Sequence, residues 1–265
     1  MHGLTRQGRD FDVLAQALCA HAQQRGEPLC VVCPDVVGRG RSDWLQDPQD
    51  YQLPTYVTDM LALIQALAPQ RLDWLGTSMG GLIGMALASL PDGVRPAALR
   101  SLILNDVGPA LQWSALVRIG QYLGRTGAFD DETQAAQALW AVSSSFGPHT
   151  PEQWLALTRP MLKPLGDGTG RLTLHYDPAL AQPFKALTPE AAQAAEALMW
   201  QAYDHIVVPT LLVRGAESDL LSTTTAQQMT QRGPRAQLIE FAGVGHAPTF
   251  VVPEQIRPVR DFLWQ

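Results

Sequence analysis

With 265 residues, 46% apolar and 17% charged, the chain is long enough to bury a sizeable interior and too apolar to be disordered. Its net charge of -6, with Lys163 and Lys185 the only lysines, leaves no basic footprint for nucleic acid or anionic lipid. The uncharged run from Trp74 to Pro91 approaches bilayer length, but Gly76, Gly80, Gly81 and Gly84 interrupt it, so a buried strand and helix are expected and no membrane partner.

The N-terminal MHGLTRQGRDFDV lacks the basic start and apolar run of a signal peptide, and a cytoplasmic location is expected. In chain order, helical spacing covers Asp10 to Gln24, a strand reading covers PLCVVCPD, and a helix covers Pro54 to Ala68. Cys30 and Cys33 lie three apart on that first strand, so they point to opposite faces, which excludes a shared disulfide or metal and leaves buried thiols. RLDWLGTS then reads as a strand, Met79 to Leu90 as a helix and LRSLILNDVG as a strand. After VVPTLLVRG, AQLIEFAG and helices over Thr223 to Arg232 and Glu254 to Trp264, the alternation predicts an α/β fold with a mostly parallel, doubly wound sheet.

The alternation fails from Ala110 to Tyr203, where alanine-rich segments carry Trp113, Trp140, Trp154 and Trp200. This predicts a helical insertion at 110-203 between core segments 1-109 and 204-265. The tryptophans are expected to dock the insertion on the sheet layer or on a ligand.

One serine stands out. In GTSMG, Gly76 and Gly80 flank Ser78 two residues to either side, after a strand and before a helix. That setting defines a nucleophile elbow, a sharp turn that lifts a hydroxyl to the mouth of a sheet while the helix N-terminus aims free N–H groups at the site. A serine needs a base, and His246 supplies one in the glycine-rich loop EFAGVGHAPTF. A carboxylate must then hold the imidazole in one tautomer. Asp219, just past the strand TLLVRG, is the expected one. Glu217 is two residues away, and Asp106 in LNDVGP is the more serious rival because it also ends a strand.

Through HGLTR, PDVVGRGRSDW, GTSMGG, LNDVGP, GAESDLL and GVGHAP, in this order and over nearly the whole length, the chain resembles the α/β-hydrolase superfamily. The resemblance implies Ser78 as nucleophile, His246 as base and Asp219 as acid, with an oxyanion hole from the backbone N–H groups of Leu4 and Met79. It also implies that the insertion is the family's helical cap and that no cofactor or metal takes part. Asp35, Gly38 and Gly40 of PDVVGRGRSDW are read as structural.

The sequence departs from that pattern at the front, where the family's N-terminal strands normally precede the HG pair but here only Met1 does. If the last of those strands separates CVVC from LDWLG, the two stand about 9 to 10 Å apart and cannot pair directly. Either the start is internal to a longer protein, or the sheet closes abnormally with the Leu4 side of the oxyanion hole loosened. The expected reaction is hydrolysis of a small carboxylic ester through an acyl-enzyme, with lactone or carbon-carbon hydrolysis of ring-cleavage products as alternatives. A ligand receptor on the same scaffold is the reading from another class, and a monomer or homodimer is expected.

Overall fold

The computed structural model describes residues 1–265. Its first part runs through α1 (Asp12–Arg25), α2 (Leu53–Leu67), β1 (Leu72–Thr77), α3 (Met79–Ala88) and β2 (Leu99–Asn105). There follow α4 (Trp113–Tyr122), α5 (Glu132–Ser143), α6 (Pro151–Thr158), the short strands β3 (Leu162–Pro164) and β4 (Leu172–Leu174), α7 (Ala181–Lys185) and α8 (Pro189–Asp204). The chain closes with β5 (Thr210–Gly215), α9 (Thr223–Met229), β6 (Gln237–Phe241) and α10 (Pro253–Leu263).

The main sheet has the order β1-β2-β5-β6, and every pair in it is parallel. Register aligns Thr77 with Asn105 and Asn105 with Val213, so the segments leaving the ends of β1, β2 and β5 emerge along one edge. Alternation along the strands then sorts the layers. Ile103, Leu211 and Val213 face Phe11 just before α1, Leu14 and Leu18 of α1, and Val259 and Phe262 of α10. Leu102, Leu104 and Leu212 face the opposite way, into a larger cluster with Ile83 and Met85 of α3, Met60 of α2 and Met229 of α9. The sheet is thus covered on both faces, as its near-continuous apolar strands require.

Helices dominate the stretch between β2 and β5, as its composition predicts, but it also contains the antiparallel β3-β4 pair. Three residues per strand give too little periodicity to read. The LGDGTG turn between them is the one sequence signal that could have marked the hairpin. Several helices carry legible start signals: Thr150 and Gln153 close a reciprocal capping box on α6, and Thr188 caps α8.

One expected strand is not formed. Residues 28–35 run without ladder partners, and a cavity of about 690 Å³ lies between them and the outer edge of β1, lined by Cys30, Val31, Leu72 and Trp74 among others. Only Met1 pairs along that edge of β1: its nitrogen donates to the Leu75 carbonyl at 2.6 Å, and its carbonyl accepts from the Thr77 N–H at 2.9 Å. An apolar run becomes a strand only where a neighbour completes its hydrogen bonds. The thiols are corrected with it: Cys19 and Cys30 are exposed and Cys33 half-buried, all three free. No helix is long and apolar enough to cross a membrane.

Candidate active site

Ser78 follows the last residue of β1 and precedes the first of α3. Its φ of 53° and ψ of -120° place a non-glycine residue in a sparsely populated region, a strain that the surrounding packing must hold. The flanking glycines make that packing possible. A Cβ on Gly76 would stand 2.1 Å from the Gly80 carbonyl oxygen, and one on Gly80 would stand 2.3 Å from the Met1 carbonyl oxygen. Close backbone approach, of α3 to β1 at Gly76 and of Met1 to α3 at Gly80, rather than positive φ, is what requires glycine at both positions.

His246 Nε2 lies 3.0 Å from Ser78 Oγ, and His246 Nδ1 lies 2.7 Å from Asp106 Oδ2. Asp106 is fully buried at the end of β2, with φ +55°, a conformation that aspartate tolerates better than most side chains. Its Oδ1 accepts from the Gly215 N–H at 2.8 Å, and its Oδ2 also accepts from the Ser218 hydroxyl at 2.6 Å. With the carboxylate accepting, Nδ1 of His246 is the donor, and Nε2 is left to accept the Ser78 proton.

The expectation of Asp219 as the acid is corrected here. Asp219 is 44% exposed, and its Oδ2 binds the Arg118 guanidinium at 2.7 Å, so it is spent on a surface ion pair. Glu217 is exposed as well. Residues past β5 serve the imidazole indirectly: Ser218 holds the carboxylate that β2 presents. The loop bearing His246 is anchored from both sides, as Asn105 Nδ2 donates to the Pro248 carbonyl at 2.8 Å and the Gly245 N–H to the Ser145 carbonyl at 2.6 Å. His149, whose pKa burial lowers, spans Gly147 O and the Thr249 hydroxyl at 2.8 Å each, tying the segment after α5 to the same loop.

Leu4 and Met79 sit beside the serine. Gly3 packs against it, a Cβ there standing 3.6 Å from Ser78 Cβ, and the backbone N–H groups of Leu4 and Met79 donate to no group of the fold. Beneath them is a residue that the sequence reading passed over within GRGRSDW. Arg39 is fully buried, and its partners are all neutral: the Leu4 carbonyl at 2.8 Å, the Val37 carbonyl at 2.7 Å, the Tyr56 hydroxyl at 3.1 Å and Met79 Sδ at 3.4 Å. The rings of Tyr51 and Tyr56 face the guanidinium from 5.8 and 5.0 Å. One side chain therefore grips both residues whose amides flank the serine. Asp35 supports the same loop, accepting from the Gly8 N–H at 2.8 Å and the Arg41 N–H at 2.9 Å.

Ser78 and His246 line a cavity of about 310 Å³, within the range of small-molecule sites. Its walls are mostly apolar, with Ile119, Phe129, Leu139, Phe146 and Met161. None of the tryptophans between β2 and β5 reaches it. Trp154 is buried with its Nε1 bonded to the Ala136 carbonyl, Trp140 packs on it edge-to-face, and Trp200 lies under Arg232. No three His, Cys, Asp or Glu side chains cluster in a way that could hold a metal ion.

A strained serine after a parallel strand, a histidine in a late loop and a buried carboxylate on the same sheet edge together define an α/β-hydrolase arrangement, and residues 1–259 match the family model described as "Alpha/beta hydrolase family". The chain belongs to that family. It is 52% identical over 264 residues to a 3-hydroxybutyrate-oligomer hydrolase of Cupriavidus necator, covering 99% of this chain and 86% of that protein. It is 25% identical over 225 residues to the 2-hydroxymuconate semialdehyde hydrolase of a Pseudomonas species, covering 82% and 69% of the two chains. Among solved structures, an alpha/beta hydrolase from Novosphingobium aromaticivorans superposes with a TM-score of 0.82 at 34% identity, covering all of this chain and 87% of that one.

Proposed function

We propose that the protein hydrolyses carboxylic esters by nucleophilic catalysis, with Ser78 as nucleophile, His246 as general base and acid, and Asp106 as the group that orients and stabilises the imidazolium. The observation that carries this is the placement of His246 between Ser78 Oγ at 3.0 Å and Asp106 Oδ2 at 2.7 Å. As Ser78 Oγ bonds to the acyl carbon, its proton passes to Nε2. The carbonyl π electrons move onto oxygen, where the Leu4 and Met79 amides receive the charge. Collapse expels the alkoxide, which takes the proton from Nε2 and leaves an acyl-serine. Water, deprotonated by the same nitrogen, then releases the acid. The segment 110-203 acts as the cap over this site, and the chemistry calls for no cofactor.

The relative at 52% identity and the mostly apolar cavity support linear hydroxyacid ester oligomers as the substrate class, short 3-hydroxybutyrate chains foremost. The test is steady-state turnover on 3-hydroxybutyrate dimer and trimer, p-nitrophenyl butyrate, a butyrolactone and a ring-cleavage dienone. Multiple turnovers of the oligomers, abolished by Ser78→Ala, support the reading. Turnover of the dienone alone would replace it with carbon-carbon hydrolysis, and one slow acylation without turnover would favour a receptor.

A further inference from the structure

The charges around the substrate cavity are one-sided. Arg6, Arg118 and Arg125 line it together with His246, and no aspartate or glutamate does, although the chain as a whole carries a net charge of -6. Two of these arginines are already engaged. Arg6 makes paired bonds to Asp10 at 2.7 and 2.6 Å and a third to the Leu157 carbonyl, and Arg118 is bound to Asp219. The Arg125 guanidinium has no hydrogen-bond or ion-pair partner in the molecule and stands exposed at the cavity's rim.

Its backbone, by contrast, is held on every side. The Arg125 N–H donates to the Tyr122 carbonyl, and the N–H of Gly124 donates to the buried Tyr176 hydroxyl at 3.1 Å. The Thr126 carbonyl accepts from the Leu174 N–H of β4 and the Thr173 hydroxyl. Gly124 turns at φ +84° against Ala181 and the Pro178 carbonyl, where a Cβ would have 2.8 and 3.0 Å. The short β3-β4 pair and the loop after α4 thus fix the backbone that carries one free cation at the rim of the cavity holding Ser78.

We propose that Arg125 is a carboxylate-binding subsite: it receives the free acid terminus of a linear ester whose scissile carbonyl lies at Ser78, so the preferred substrates are anionic oligoesters and not neutral ones. The inference rests on the ester-hydrolase reading above. A guanidinium matches a carboxylate with two parallel N–H bonds, and an unengaged one loses no internal ion pair when substrate arrives.

The test compares one 3-hydroxybutyrate trimer as the free acid and as its methyl ester, in wild type, Arg125→Met and Arg125→Lys. Wild type is expected to favour the free acid in kcat/KM by about tenfold, through KM, with the preference shrinking at raised salt. In Arg125→Met the preference ratio falls to near one, and Arg125→Lys restores part of it, since a point charge replaces the fork. Thermal melting of both variants confirms that they are folded. Equal use of the two trimers by wild type, or a ratio unmoved in Arg125→Met, would overturn the subsite while leaving ester hydrolysis standing. Turnover of neither trimer would defeat the underlying reading instead.

Discussion

Asp106 reaches His246 across 140 residues of sequence, at 2.7 Å, while Asp219 is bonded to Arg118. The two aspartates therefore have opposite expected consequences. Asp106→Asn keeps the shape but presents an amide to Nδ1, favouring the wrong tautomer, and kcat should fall on the order of 10⁴-fold. Asp219→Asn breaks an ion pair with both partners more than a third exposed and should change kcat less than about threefold, because such pairs contribute little. Ester turnover of the two variants decides the matter. A large loss in Asp219→Asn with none in Asp106→Asn would reverse the assignment.

Close packing of the elbow makes a second prediction. The carbonyl oxygen of Gly80, 2.1 Å from where a Gly76 Cβ would be, is backbone at the start of α3 and cannot swing aside as a flexible side chain would. Gly76→Ala should lower stability by about 2 to 3 kcal/mol and move Ser78 out of line with His246. Chemical denaturation and turnover are expected to fall together. A stable variant of full activity would show that strand and helix can separate without consequence.

Arg39 lets the amides beside Ser78 be tested without touching them. Arg39→Met removes the donors to Leu4 and Val37 and leaves two partly buried carbonyls unpaired, at a cost of about 1 kcal/mol each in stability. If the Leu4 amide serves the developing oxyanion, kcat should drop about 10- to 100-fold with KM little altered, because the interaction strengthens only as charge develops. Arg39→Lys should recover little, since a single ammonium cannot span Leu4, Val37 and Tyr56 at once. Raised KM with unchanged kcat would assign Arg39 to substrate binding instead.

The sheet strands β1, β2, β5 and β6 were legible because each is a short apolar run bounded by turn residues, and Ser78 and His246 because their motifs sit beside those runs. What failed depended on partners distant in sequence. The run at Leu29 to Cys33 has the composition of a strand but no neighbour to bond, and composition cannot report a neighbour. The acid was misplaced for a related reason. Both β2 and β5 end at the same edge, and only the depth at which each aspartate lies separates Asp106, fully buried, from Asp219. The tryptophans announced packing without saying against what, and Trp154 lies in the cluster that covers one face of the sheet, with Trp140 and Trp200 against it. Arg39 was passed over because an arginine amid glycines reads as a solvated loop residue, whereas here every donor group turns inward.

Buried histidine chemistry gives the last prediction, a pH dependence of stability. His2 is fully buried; its Nε2 accepts from the Val36 N–H at 2.9 Å and its Nδ1 donates to the Gly3 carbonyl at 2.8 Å, so the ring is held neutral. Burial lowers its pKa from the ordinary 6.5 to about 3. The unfolded chain thus takes up a proton that the folded one refuses, and this contribution is fully present above pH 6.5 and lost as pH falls from there toward 3. One pH unit into that window the loss amounts to about 1.4 kcal/mol. His149 and His175, also lowered by burial, contribute with the same sign. Urea midpoints should therefore decline steadily from pH 7 to 5, before most carboxylates titrate. In His2→Asn, less stable at neutral pH, the decline should be shallower. Midpoints that stay level or rise as the solution is acidified would mean that His2 accepts a proton in the folded state, and its two hydrogen bonds would have to be reassigned.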